Sequence, residues 1–279
     1  MSGLVRAWTA RLASLPRVGF RRWPLAGRAF PLGLGAASGR LGPMIERTAM
    51  FIDLQGFSAL YGPNTKADSL WGLSDLMEGI YRLGRDSTRL GISRLFAHQI
   101  GDGFVLVDDG GIANISRLVA AAVALHQFTL VRAGHFCASA IDRGGMADVV
   151  GCYPEIVRQA RTREGVVPLG DGLMTIFPVM GTALINTYRI LGQAKGAVIL
   201  VPETHAAGLE PGIRTTTAEG LLFVDWIASD SPGIATARGL LGIGGLNRGA
   251  LVQFFNQAVS RNNCKPEWVA RTSRFLSRD

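Results

Sequence analysis

The sequence predicts an α/β sandwich, in which helices pack on a mostly antiparallel sheet. Of the 279 residues, 48% are apolar and only 18% are charged, which is enough apolar material for one large domain with or without an appendage. Short apolar runs alternate with longer segments of helical period, as in α/β proteins. Gly101-Asp102-Gly103 has the composition of a tight turn between two apolar runs, which predicts a hairpin.

Each element is predicted from its own local pattern, in chain order. The apolar run 48–54 ends at Gln55-Gly56, as buried strands do, and 66–83 carries apolar residues at helical spacing. The predicted strands are 48–54, 92–100, 104–107, 135–141, 173–177, 197–201 and 221–226. The predicted helices are 66–83, 113–131, 154–163, 183–191, 246–260 and 267–276. A hairpin between two helix-bearing crossovers predicts a sandwich of ferredoxin type.

Composition divides the chain into three segments. Residues 1–45 hold seven Arg, four Pro and no acidic residue, and we interpret them as a basic disordered tail or as residues before the true start. Residues 46–228 contain the predicted sheet, and 229–279 form a helical C-terminal extension. Without the seven Arg of the first segment the formal net charge of +8 falls to +1. An almost neutral body argues against a nucleic-acid partner.

Membrane insertion and disulfide scaffolding are not expected. The longest apolar stretch, 118–131, is interrupted by His126, Gln127 and Thr129, and it is shorter than the roughly 20 apolar residues of a membrane span. The three cysteines are far apart and have no metal-ligand spacing, which favours reduced thiols. These observations predict a cytoplasmic protein without stable membrane insertion.

Two aspartates stand at the ends of predicted strands, each beside a glycine. Asp53 ends the first strand and Asp102 lies in the hairpin turn. An acid at the edge of a buried strand is costly without a compensating cation. If the two strands are neighbours, both carboxylates can hold hard divalent ions, and the turn after Asp53 offers N–H groups to phosphate. Each motif alone is usually ordinary turn chemistry, whereas the pair is more specific for metal-assisted phosphoryl chemistry.

The motifs around these aspartates resemble the catalytic domain of class III nucleotide cyclases. The residues that carry the resemblance are Phe51-Ile-Asp-Leu-Gln-Gly-Phe-Ser58, Ile100-Gly-Asp-Gly103, Gly181-Thr-Ala-Leu-Ile-Asn-Thr-Tyr-Arg189 and Gly196-Ala-Val-Ile-Leu-Val201. The resemblance spans about 47–204 and is poor between 142 and 172. It implies a ferredoxin-like domain that acts as a head-to-tail homodimer with interfacial active sites. One protomer then supplies metal ligands, and its partner supplies transition-state residues.

The resemblance also assigns roles to individual residues. Asp53 and Asp102 match the ligands of two Mn²⁺ or Mg²⁺ ions per site, and the carbonyl of Leu54 completes one ion. Arg189 matches the arginine that stabilises the transition state, although a solvated residue on a helix face is the plain alternative. The turn expected to hold the substrate's phosphates consists of Gln55, Gly56, Phe57 and Ser58.

One position departs from the family's pattern, and two depart from that of its adenylate-specific members. The ribose-orienting Asn is expected four residues before Arg189, where Ile185 stands, and Asn186 comes one residue later. One residue rotates a helical side chain by about 100°, so the role of Asn186 is open. His98 and Pro178 replace the Lys and Asp that read adenine. His98 can donate to a pyrimidine carbonyl or be an ordinary core histidine.

The departures favour a resemblance to the pyrimidine cyclases of Pycsar antiphage systems. Shared features are the Gly181-to-Tyr188 helix, the Arg-Gly strand Ala140-Ile-Asp-Arg-Gly-Gly145 and the Phe223-Val-Asp-Trp226 strand. The resemblance implies conversion of UTP, ranked ahead of CTP, to a 3′,5′-cyclic nucleotide and pyrophosphate, with the product sensed by a separate effector. The alternatives are an adenylate or guanylate cyclase and an inactive cyclase-like module that only binds nucleotide.

Overall fold

The computed structural model describes most of the chain beyond residue 43. The described residues are 44–55, 66–108, 115–162, 165–175, 179–194, 196–260 and 264–277.

The first half of the domain has the ferredoxin-like order β1-α1-β2-β3-α2-β4. Its elements are β1 (Ile45–Leu54), α1 (Lys66–Arg85), β2 (Leu95–Ile100), β3 (Gly103–Asp108), α2 (Ile115–Ala133) and β4 (Cys137–Asp148). These strands lie side by side in the order β2-β3-β1-β4, and every neighbouring pair is antiparallel. This arrangement confirms the predicted fold class of a mixed α/β domain with a mostly antiparallel sheet.

The second half extends the sheet beyond β4. It contributes α3 (Glu155–Ala160), β5 (Val166–Leu169), β6 (Gly172–Thr175), β7 (Val179–Gly181), α4 (Thr182–Leu191), β8 (Ile199–Pro202), β9 (Thr215–Ala218) and β10 (Leu221–Val224). β8 pairs parallel with β4, β10 and β9 follow it as antiparallel strands, and β7 pairs with the far end of β4. β5 and β6 form a separate hairpin.

Several predicted boundaries were wrong. β4 continues to Asp148 rather than ending at 141, because its second part pairs with β1 and β7 through a stretch that includes Gly144 and Gly145. The strand predicted at 92–100 begins at Leu95, after a short 3₁₀ turn at Ser87–Leu90. The strand predicted at 173–177 is β6, and residues 176–178 lie outside the described residues. The sequence did not predict β5, β7 or β9.

The sheet has two differently covered faces. Met50, Ile52 and Leu54 of β1 point into the main core, which α1 and the almost wholly buried α2 cover. Ala49 and Phe51 point to the opposite face, where α4 packs on β1 and β4. This alternation follows from the two-residue period of a strand. Asp53 has the parity of Phe51, so its side chain lies on the α4 face.

The described part of the C-terminal segment contains three helices that pack on the main core. They are α5 (Pro232–Leu241), α6 (Arg248–Ser260) and α7 (Pro266–Leu276), and α5 was not predicted. Trp226, which follows β10, stacks on Phe275 with 5.8 Å between ring centroids, and Phe136 meets Trp268 at 5.3 Å. No described helix is both long and apolar enough to cross a membrane.

Candidate active site

The fold brings Asp53 and Asp102 together. β1 and β3 pair so that Asp53 lies opposite Gly103, the residue after Asp102. The Asp102 carboxyl group is therefore close enough to act on that of Asp53 through its charge and through hydrogen bonding. Asp53 and Asp102 are 49 positions apart in the sequence. One antiparallel strand pair and one tight turn, in which Gly101 has φ of +62°, bring them together.

The surroundings of the Asp53 carboxyl group disfavour its ionised form. Burial, the charge of Asp102 and the hydrogen bond with Asp102, in that order, raise the pKa of Asp53 to about 7. Two neighbouring carboxylates at a partly buried strand end repel each other in the absence of a cation. This donor set fits a hard divalent ion, which prefers oxygen ligands and would offset both charges.

The surroundings of Gly103 leave no space for a side chain. A Cβ built on Gly103 would lie 2.8 Å from the carbonyl oxygen of Ile52 and 3.0 Å from Oδ1 of Asp53. Glycine at 103 therefore lets the hairpin approach β1 closely enough for the two carboxyl groups to meet.

Other ligands for an ion must come from outside this pair. Cys137 lies opposite Leu54 in the register, but burial raises the pKa of its thiol to about 12, so it stays protonated and is a poor ligand. Within the described residues no group of three or more His, Cys, Asp or Glu side chains surrounds a common point. Leu54 follows Asp53 at the strand end, and Gln55 is partly buried beyond it. Gly56, Phe57 and Ser58 lie outside the described residues.

His98 lies on the same side of the sheet as Asp53. It is opposite Val105 on β3, and Val105 is in turn opposite Phe51 on β1. Directly opposed residues of antiparallel strands project to one face, so His98, Val105 and Phe51 form a row beside Asp53. Burial lowers the pKa of His98, which favours a neutral imidazole. Pro178 lies outside the described residues.

Arg189 is placed elsewhere, on the exposed side of α4. It lines an open groove of about 500 Å³, and neither Asp53 nor Asp102 is among the residues that line this groove. Asn186 lines this groove together with Arg189, whereas Ile185 does not line it and is 44% exposed. Residues three apart on a helix share a face, so the one-residue offset of the Asn still leaves it beside Arg189. The lining residues are Asp142, Arg143, Asn186, Arg189, Ile190, Pro202, Thr204, His205 and Leu221.

Sequence reasoning assigned no role to three polar residues of this groove. Asp142 accepts hydrogen bonds at Oδ1 from the backbone N–H of Arg143 and from Nε2 of His205, both at 2.7 Å. His205 is 63 positions from Asp142, and it reaches the groove from a 3₁₀ segment that follows β8. The Asp-Arg-Gly sequence at 142–144 was visible, but nothing local indicated its meeting with His205.

Comparisons with known proteins give only distant structural likenesses. No family model matches this sequence, and no curated protein sequence matches it. Among solved structures, the guanylate cyclase domain of RhGC from Catenaria anguillulae in complex with GTP is 13% identical, with a TM-score of 0.43, 64% of this chain covered and 93% of that one. The monomeric guanylyl cyclase domain of the RhoGC fusion protein from Blastocladiella emersonii is 13% identical, with a TM-score of 0.44 and coverages of 65% and 96%.

A third solved structure is the adenylyl cyclase CyaB from P. aeruginosa, which is 11% identical, with a TM-score of 0.41 and coverages of 65% and 95%. These neighbours are guanylyl and adenylyl cyclases, but every TM-score is below 0.5. Such similarities do not establish the function of this chain, which has to be inferred from its own residues.

Proposed function

We propose that this protein is a metal-dependent nucleotide cyclase. The observation that carries the proposal is the strand register, which places Asp53 opposite Gly103 and so beside Asp102 in the β2–β3 turn. Acid pairs of this kind hold divalent ions in enzymes that act on phosphate esters. The sequence motifs around both aspartates support the same activity.

Asp53, Asp102 and the Leu54 carbonyl would hold two Mn²⁺ or Mg²⁺ ions. When bound, the ions supply positive charge that activates the ribose 3′-hydroxyl and neutralises the leaving pyrophosphate. The carboxylates would hold the ions, and backbone N–H groups of residues 55–58 remain the donors that the sequence predicts for the phosphates. His98, in the row beside Asp53, is our candidate for contact with the base.

We further propose that the active unit is a homodimer in which Arg189 serves the partner's aspartates. Its support is the separation of the Arg189 groove from the Asp53–Asp102 pair within one chain. The same helix exposes apolar side chains, Ile185 at 44% and Tyr188 at 67%, on the face that a partner would cover. Arg189 there supplies fixed positive charge to the phosphorus that is attacked.

The substrate we propose is UTP, ahead of CTP, and the product is a cyclic pyrimidine nucleotide. Its support is the sequence pattern alone: His98 and Pro178 replace the adenine-reading Lys and Asp, and the Gly181-to-Tyr188 helix resembles that of the pyrimidine cyclases. On this proposal the protein works in the cytoplasm during phage infection and signals to a separate effector.

The test is incubation of the purified protein with Mn²⁺ and each of the four nucleoside triphosphates, followed by chromatographic separation of the products. We expect cyclic UMP or cyclic CMP from the wild type and none from Asp53→Asn. Cyclic AMP or cyclic GMP as the only product would establish the purine alternative. No product from any substrate would refute the cyclase and leave a nucleotide-binding module.

Mixing two inactive variants tests the shared site. Asp102→Ala and Arg189→Ala each disable one half, and each mixed dimer retains one intact site. Random exchange of subunits makes half of the dimers mixed, so about a quarter of wild-type activity should return. Activity that stays at the level of the separate variants would refute the interfacial arrangement.

A further inference from the structure

Helix α7 packs against the turn that joins α4 to β8, between Leu191 and Ile199. Thr272 of α7 is fully buried, and its Oγ1 accepts a hydrogen bond from the backbone N–H of Ala197 in this turn, at 3.1 Å. A Cβ built on Gly196 would lie 3.1 Å from the same oxygen, so the chain passes α7 with no room for a side chain. Because a buried N–H group is costly to leave without an acceptor, the bond to Thr272 fixes the turn against α7.

The first part of this turn is bonded both to α7 and to α4. Arg271 of α7 donates an exposed hydrogen bond from Nη1 to the carbonyl oxygen of Gln193, at 3.4 Å. The backbone N–H of Gln193 donates in turn to the carbonyl oxygen of Ile190, at 2.9 Å, in the last turn of α4. Ile190 directly follows Arg189, so the contacts with α7 lead to the backbone beside Arg189.

Aromatic packing fixes the position of α7 itself. Trp268 and Phe275 lie on the same buried face of α7 as Thr272, one turn before it and one turn after it. Phe275 stacks on Trp226, with 5.8 Å between ring centroids. Nε1 of Trp226 donates to the carbonyl oxygen of Ala197 at 2.9 Å, so side chains bond both backbone polar groups of Ala197. Since α7 is anchored on both sides of Thr272, this residue is a fixed support for the turn.

On the basis of the proposed function, in which Arg189 stabilises the transition state, we propose that α7 positions this arginine by holding the α4–β8 turn. Thr272 is the positioning residue. Arg189 lies in the last turn of α4, and helix ends fray because their last carbonyl groups have no partner within the helix. A support just beyond the helix end limits this fraying and keeps the guanidinium group in one place. The rival explanation is that the packing of α4 on the sheet holds Arg189 by itself.

The first measurement is amide hydrogen exchange of the full-length protein, which does not depend on activity. Thr272→Val keeps the shape of the side chain and removes the acceptor. We expect the amides of Ala197 and Gln193 to exchange about tenfold faster in this variant, as the loss of one buried hydrogen bond implies. Thr272→Ser, which keeps the hydroxyl group, should stay close to the wild type. Thr236→Val is the matched control, because the hydroxyl that it removes donates to Pro232 within α5.

The second measurement is turnover by the same variants. Because Arg189 acts on the transition state, its displacement should lower kcat and leave KM nearly unchanged. We expect kcat of Thr272→Val to fall by about tenfold and Thr272→Ser to retain most of it. A support that matters only for stability would lower the melting temperature without this selective loss of kcat. Gly196→Ala, whose Cβ would push the turn away from α7, should give the same loss from the other side of the contact.

Equal exchange at Gln193 in the wild type and Thr272→Val would overturn the proposal and show that the sheet alone holds α4. An unchanged kcat of Thr272→Val, with an active wild type, would overturn it as well. No product from the wild type would refute the proposed function alone, and faster exchange at Gln193 would then still support the hold of α7 on α4. Circular dichroism melts show whether Thr272→Val is folded, and Gly196→Ala takes its place in both measurements if it is not.

Discussion

Replacing Asp53 by Asn should make the metal-free protein more stable at alkaline pH, although the same change should abolish activity. The ordinary pKa of an aspartate is 3.8, and burial, the charge of Asp102 and the hydrogen bond with Asp102 raise that of Asp53 to about 7. A carboxyl group with a raised folded pKa favours folding while it is protonated. That contribution is complete below pH 3.8 and is lost as the pH rises through 7.

The size of the effect follows from the difference between the two pKa values. Each unit corresponds to about 1.4 kcal/mol, so the raised pKa of Asp53 lowers the free energy of unfolding by about 4 kcal/mol at pH 8. At pH 5 the loss is about 2 kcal/mol, because folded Asp53 stays protonated while the unfolded chain ionises. Asn has nearly the same shape and no charge to desolvate. The stability gained by Asp53→Asn should therefore be about 2 to 3 kcal/mol larger at pH 8 than at pH 5.

The assay is urea unfolding in EDTA at both pH values. Comparing the two pH values cancels any effect of the Asn on packing, because such an effect does not depend on pH. Asp171→Asn, at an exposed position in the turn between β5 and β6, is the matched control and should show no such difference. If Asp53→Asn changes the free energy of unfolding equally at pH 5 and pH 8, the carboxyl groups are not coupled as described.

Three further predictions concern the same elements. At pH 8 in scanning fluorimetry, Mn²⁺ should raise the melting temperature of the wild type and leave those of Asp53→Asn and Asp102→Asn unchanged, because an ion that binds only the folded state stabilises it. Equal shifts of the melting temperature in all three proteins would contradict the metal site. Gly103→Ala should lower the free energy of unfolding by about 2 to 3 kcal/mol, because its Cβ would clash with Ile52 and Asp53. Gly101→Ala, whose Cβ meets nothing within 4 Å, should lower it by only about 1 kcal/mol because of its positive φ, and equal losses in urea titrations would count against the close approach of Gly103 to β1. Trp268→Ala should lower the free energy of unfolding by about 3 to 5 kcal/mol, because its side chain is only 7% exposed and packs against Phe136 and Phe255. Val252→Ala, at 37% exposure, should lower it by under about 1 kcal/mol, and similar losses for both variants would show that the C-terminal helices are not part of the core.

The part of the fold that the sequence predicts is the part with strong local patterns. β1, α1, the β2–β3 hairpin and α2 each show a clear period or turn signal, and their order determines the ferredoxin-like arrangement. β9 lacked such a pattern because it is a Thr-rich edge strand, and its pairing with β10 depends on the turn at Glu219-Gly220, where φ is positive at both residues. Positive φ at a glutamate is rarely encoded by composition, so nothing in the sequence marked this turn.

α5 was missed for a different reason, because its end signals were present. Ser231 accepts a hydrogen bond from the backbone N–H of Ile234, Pro232 is the first helical residue, and Gly242 ends the helix with φ of +68°. These are common capping residues. Glycine at 242, 244 and 245 is typical of a flexible connection, and it obscures the helix that ends there.

The two halves of the candidate site differ in how far local sequence patterns predict them. Asp53 and Asp102 meet through adjacent strands and a tight turn, so their contact follows from local structure. The groove around Arg189 is built from residues of β4, α4, β8 and β10 that are up to 79 positions apart, from 142 to 221. Its assembly depends on the parallel pairing of β4 with β8, which no local pattern in the sequence could indicate.

The orientation of α4 separates the Arg189 groove from the strand that ends in Asp53. Tyr188 meets Phe51 of β1, with 5.9 Å between ring centroids, so this flank of the helix faces the strand that ends in Asp53. The next residue, Arg189, projects about 100° further around the helix axis, into the groove beside β4 and β8. Turning α4 to bring Arg189 toward Asp53 would expose Ala183, Leu184 and Ile190, which are buried against the sheet. The packing of α4 therefore keeps the Arg189 groove and the aspartate pair on separate flanks, which is the observation that the proposed homodimer has to explain.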